Sequence, residues 1–145
     1  MSTHAEEAVA MFAEGFNCAQ AVLTCCGTRF GISRDLALRI AGPFGGGMGR
    51  TGNVCGAVTG AFMVIGLKHT KTDPKDEQAK KIGHDLVREF IKRFEAGHGS
   101  IVCRQLLGYD LSAAEGLQKA KDQGLFKTLC PKFVRAAAEI LEEIL

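Results

Sequence analysis

The chain has 145 residues, 46% apolar and 23% charged, with a net charge of +2 from 18 basic and 16 acidic side chains. That composition suits one globular domain over residues 1–145 and excludes a disordered chain, whose apolar content would be lower. It also offers no basic footprint for nucleic acid.

The first residues, Met1-Ser2-Thr3-His4-Ala5-Glu6-Glu7, are acidic and lack the basic and then apolar order of a secretory leader. A cytoplasmic protein with reduced thiols is therefore expected. Thr3-x-x-Glu6 reads as a capping box that opens a helix, and Gly15 as its stop. Asn17-x-x-Gln20 reads as the next N-terminus, followed by Ala19, Val22 and Leu23. Ser33 opens a short third helix through Leu36, Ala37 and Ile40, closed by Gly42-Pro43. Asn53 is the expected cap of an apolar helix over 54–67, whose 14 residues are too few to span a bilayer. No membrane association is expected. Gly52, Gly56 and Gly60, with Ala57 and Ala61, form a ridge of small residues that lets another helix come close. Asp73-Pro74, followed by Asp76 and Glu77, predicts the start of the longest helix, over 73–96. Its stripe is Ile82, Leu86, Phe90 and Phe94, and Gly97 is the expected stop. Ser100 opens a short helix ended by Gly108, Ser112-x-x-Glu115 is another capping box, and Pro131 begins a last helix. Strand alternation is nowhere sustained. The expected fold is all-α, one compact domain of six to eight helices, with a Gly-rich loop before a buried central helix. Residues 1–67 carry four basic and four acidic side chains, against 14 and 12 in the remainder. The weakly charged first half is expected to be packed away, and a homodimer is one way to do so.

Six cysteines in a reduced compartment point to metal, cluster or redox chemistry rather than a disulfide scaffold. Four fall near expected helix starts: Cys18 after Asn17, Cys55 after Asn53, Cys103 after Ser100, and Cys130 before Pro131. First-turn N–H groups lack intrahelical partners and the helix dipole is positive there, so both favour a thiolate. The same donors suit an anionic iron–sulfur cluster, and Arg50 and Arg104 add positive charge nearby. The four are expected to converge, although 37, 48 and 27 residues separate them in turn. Cys25 and Cys26 lie inside the second helix and read as packing residues. The chain has no CxxC, so ribbon-type zinc and thioredoxin-type motifs are absent. His4, His69, His84 and His98 are reserve ligands, with His98, five residues before Cys103, the best placed.

Gly47-x-Gly49-x-x-Gly52 formally fits the dinucleotide pattern, but a helix rather than a strand precedes it, and no βαβ unit exists. Close backbone approach near Cys55 is the expected use of Gly47, Gly49 and Gly52.

The segments Gly15-Phe16-Asn17-Cys18-Ala19-Gln20-Ala21-Val22-Leu23, Cys55-Gly56-Ala57-Val58-Thr59-Gly60 and Cys103-Arg104-Gln105-Leu106-Leu107-Gly108, with the late Cys130, together resemble the C_GCAxxG_C_C family of redox-active proteins. The resemblance covers nearly the whole chain. It implies that Cys18, Cys55, Cys103 and Cys130 are the family cysteines. Three functions stay open, in this order. The four thiolates hold an iron–sulfur cluster for electron transfer or sensing, in exchange with a redox partner protein. A pair such as Cys18 and Cys55 works as a metal-free thiol–disulfide couple. Or a helical binding protein carries packed cysteines with a structural zinc or no metal.

Overall fold

A computed structural model describes residues 3–145. The helices are α1 (Thr3–Ala13), α2 (Cys18–Gly27), α3 (Arg34–Ala41), α4 (Gly56–His69), α5 (Glu77–His98), α6 (Cys103–Leu107), α7 (Ala114–Asp122), α8 (Leu125–Thr128) and α9 (Cys130–Ile144). The single turn of α8 runs through the helical Leu129 straight into α9, so the described residues fold as eight helical segments. Among them there is no β-strand, and only the isolated bridge Val54–Val102 pairs extended backbone.

The central layer is α2 against α4, with α1, α3 and α9 around α2 and α5 across α4 and α9. The ridge of small residues explains the closeness of the central pair. A Cβ on Gly60 would stand 3.0 Å from Ala19 O and 3.3 Å from Val22 Cβ. Only glycine lets the two backbones approach to this distance. Ala57, Val58, Ala61, Val64 and Ile65 of α4 are buried, as its uniformly apolar sequence requires. On α5, Phe90 and Phe94 are fully buried and stack at 5.9 Å, and Phe62 meets Phe90 edge-on at 5.8 Å. Ile82 of the same stripe is 40% exposed, because the N-terminal turns of α5 run past the core.

Several expected boundaries move. The long helix starts at Glu77, capped by the Asp76 side chain accepting from Ala79 N, while Asp73 instead accepts from Lys75 N in the turn before it. It passes through Gly97 and stops at Gly99, which holds φ 84°. Ser112 does not cap α7. Its N–H and hydroxyl both donate to Asp110 Oδ1, and Ala113 takes the cap position. The Thr3 side chain of the expected first capping box lies outside the described residues.

Candidate functional site

Cys18 is the first residue of α2. The Asn17 side chain accepts from Gln20 N at 2.9 Å, and Gln20 Oε1 accepts from Asn17 N at 2.9 Å, a reciprocal cap. Asn17 Nδ2 also donates to Gly42 O at 2.9 Å, which fastens this helix start to the end of α3. Cys55 is the N-cap of α4, not a first-turn residue. Asn53 is not the cap, because the bridge Val54–Val102 holds this stretch extended. Cys55 N donates to Ile101 O at 2.8 Å, Cys103 N to Asn53 O at 2.6 Å, and Arg104 N to Gly52 O at 3.1 Å. That short ladder sets Cys55 and Cys103 side by side across 48 residues of sequence. Cys103 opens α6 and Cys130 opens α9, with Pro131 next in the first turn. Ser100 does not cap α6 from its N-cap position, which Val102 fills. Its hydroxyl accepts from Val102 N and donates to Gln105 Oε1.

Cys18, Cys55, Cys103 and Cys130 all line one cavity of about 580 Å³. Gly47 and Gly49 line it as well, whereas Gly52 does not and faces Arg104 and Asp110. Much of the remaining wall is apolar, from Phe12, Phe16, Leu106, Leu111, Phe126 and Phe133. This wall is assembled from separate segments and has no motif in the sequence. The four-residue step from Phe12 to Phe16 was its only local trace. Cys25 and Cys26 lie elsewhere. Cys26 is buried in the core, and Cys25 Sγ sits 3.3 Å from Met11 Sδ. Burial pushes the Cys25 thiol up to about 11 and the Cys26 thiol up to about 12. Of the reserve ligands, His98 does not line the cavity and packs against the rings of Phe94 and Phe133 at 4.8 and 5.2 Å. His4 lies 3.9 Å from Glu7, and His69 ends α4. His84 is exposed on α5.

The loop before α4 is a left-handed turn. Gly46, Gly47, Met48, Gly49 and Arg50 all hold φ between 61° and 70°. Glycine accepts this region freely, whereas an L side chain there costs roughly 1–2 kcal/mol. The loop must be this thin: a Cβ on Gly47 would lie 2.7 Å from both Asn53 N and Cys103 Cβ.

The sulfurs feel one another. A hydrogen bond from the Cys55 thiol is the largest cause drawing the Cys18 thiol down to about 7, and backbone N–H groups of Ala19, Cys18 and Ala57 add to it against the effect of burial. Cys55, as the donor, is pushed well up, with burial acting the same way. Cys103 is raised to about 11 by burial and then by Cys18. Cys130 is raised to about 12 by burial and then by Cys18 and Cys103. One thiolate therefore forms near neutrality, and its charge opposes the next.

A family model described as "Putative redox-active protein (C_GCAxxG_C_C)" matches residues 16–144. The chain belongs to this family. The match begins two residues before Cys18 and includes Cys55, Cys103 and Cys130. The expectation drawn from the sequence segments is thereby confirmed. No curated protein and no solved structure matches the chain. No helix among the described residues is long and apolar enough to cross a membrane.

The donor set can be tested against the groups that such a family suggests. Among the described residues, no three His, Cys, Asp or Glu side chains stand close enough to hold a single metal ion. A lone tetrahedral zinc, which needs its ligands within about 2.3 Å, does not suit this spread. Four cysteines on the wall of one cavity are compatible with a cluster of several irons, whose ligands are thiolates.

Proposed function

We propose that Cys18, Cys55, Cys103 and Cys130 form one redox centre that holds an iron–sulfur cluster and passes electrons to or from a partner protein. The observation that carries this reading is that four cysteines from four chain segments line a single cavity. Such a cluster supplies one-electron chemistry when bound. The residues of the chain prepare the place for it. The Asn17–Gln20 cap and the Val54–Val102 bridge fix three of the four sulfurs on short, hydrogen-bonded segments. The backbone N–H groups at the start of α2 and α4 face Cys18 and favour its ionised form. Burial and the Cys18 charge keep Cys103 and Cys130 protonated near neutrality, and a positive centre among the sulfurs would favour the loss of those protons.

A second reading is supported by the hydrogen bond between Cys55 and Cys18. A thiolate beside a thiol is the reduced form of a disulfide couple. The Cys18 thiolate would attack a partner disulfide and expel one partner thiolate, and the Cys55 sulfur, giving up its proton, would then displace the other. The Cys18–Cys55 bond forms, the partner disulfide is reduced, and the partner leaves as two thiols by taking the Cys55 proton and one from solvent. Anaerobic purification with iron and acid-labile sulfide analysis separates the two readings. Brown protein with iron and sulfide in equal amounts supports the cluster. Colourless protein with neither, in which Cys18 and Cys55 titrate as a reversible couple, supports the disulfide reading.

A further inference from the structure

The cavity is larger than four sulfurs require. About 580 Å³ lies within the range of about 300–1,000 Å³ typical of small-molecule sites, and its walls combine an apolar surface with few polar groups, as such sites do. Among the described residues, Arg50 is the one charged residue on that wall, and no carboxylate lines it. Among the described residues Arg50 makes no ion pair. Its backbone is nevertheless held at φ 61°, a conformation that a side chain resists. Its Cγ rides over Gly46, where a Cβ would stand 2.6 Å away.

The same left-handed turn leaves donors unused. Met48 N, Arg50 N, Gly52 N and Asn53 N each find a backbone carbonyl. The amides of Gly46, Gly47 and Gly49 donate to no acceptor among the described residues, and all three glycines line the cavity. Gly47 is buried, where an unpaired N–H costs as much as a lost hydrogen bond. Successive glycine amides with an unpartnered guanidinium make a receptor for an anion.

We propose that the cysteine-lined cavity binds a small organic acid, its carboxylate held by Arg50 and the amides of Gly46, Gly47 and Gly49, and its apolar body against Phe12, Phe16, Phe126 and Phe133. The carboxylate answers the unpaired donors, and the aromatic wall explains why the cavity is roomy and largely apolar. The ligand would lie beside the sulfurs. The proposal deepens the redox reading by naming the class of molecule that the centre meets, and it rests on the same cavity.

Ligand-observed fluorine NMR on the full chain as purified tests it, with three probes. 4-Fluorophenylacetate carries both the carboxylate and the ring, 4-fluorophenylacetamide the ring alone, and trifluoroacetate the carboxylate alone. The expected result is that the first binds at least about 10-fold tighter than either of the others. Arg50→Gln, at an exposed position, should remove most of the advantage over the amide while leaving amide binding unchanged. Equal binding of acid and amide, or an unchanged preference in Arg50→Gln, would overturn the carboxylate site. Trifluoroacetate binding as tightly as the aryl acid would overturn the role of the aromatic wall. Iron and sulfide content is not part of the readout, so failure here and failure of the cluster reading are told apart.

Discussion

Gly56→Ala probes how far the cysteine site depends on close packing of α2 on α4. A Cβ at residue 56 would lie 2.6 Å from Cys18 Sγ, 3.0 Å from Phe44 O and 3.1 Å from Ala19 N. The sulfur can swing aside, but the two backbone atoms can move only with their segments. Overpacking of this kind costs about 1–3 kcal/mol. The offsetting gain in helix propensity is at most about 1 kcal/mol, and less at the first residue of a helix. The net loss should be about 1–2 kcal/mol, which lowers the thermal midpoint of a chain this size by roughly 3–8 °C. Turning the sulfur away from Cys55 should also let the Cys18 thiol rise from about 7 toward its ordinary value of 9.0. Gly83→Ala is the control. Nothing lies within 4 Å of its Cβ position inside α5, so it should stabilise by about 1 kcal/mol. Urea titration followed by circular dichroism reads the stability, and the pH dependence of iodoacetamide alkylation in the reduced, metal-free protein reads the thiol. A Gly56→Ala protein as stable as the parent, with an unchanged Cys18 profile, would refute the packing argument.

Four further outcomes are expected. Asn17→Ala removes a cap and the tie to Gly42 O, and urea titration should show a loss of about 1–2 kcal/mol. Met48→Gly relieves a side chain at φ 67° that is 39% exposed, and a thermal melt should show a gain of about 0.5–1 kcal/mol. The Cys18 thiol value is lowered by folding, so Cys18 is a thiolate above about pH 7 and a thiol below it. In the metal-free protein its alkylation rate should reach half its plateau near pH 7, while Cys25 and Cys26, raised to about 11 and about 12, stay slow through pH 9. Cys55→Ala should move the Cys18 profile upward.

The elements that sequence reasoning placed well are those whose signals are local. Asn17 and Gln20 sit three residues apart and cap one another in the structure, so the position of Cys18 was legible. Gly56 and Gly60 announced a close helix contact, and Ala19 supplies it. The misplaced boundaries have tertiary causes. Val54 lies outside α4 because it pairs with Val102, and no local pattern around Asn53 encodes a partner 48 residues away. Ser100 and Ser112 carry capping side chains, yet each is drawn into a turn of its own with Val102 N and Asp110. The cavity was legible only through its cysteines. Its aromatic wall comes from α1, α8 and α9 and the loop after α1, so no stretch of sequence shows it whole.

The central claim is that four particular cysteines act as one centre and the other two do not. Iron and acid-labile sulfide per chain, measured after anaerobic purification of the parent and of the six single Cys→Ser proteins, tests it most directly. Iron and sulfide should be present in the parent, in Cys25→Ser and in Cys26→Ser, and lost in Cys18→Ser, Cys55→Ser, Cys103→Ser and Cys130→Ser. Iron retained in full by all of those last four, or absent from the parent, would contradict the cluster. A loss caused equally by Cys25→Ser or Cys26→Ser would contradict the division between the cavity cysteines and the core cysteines.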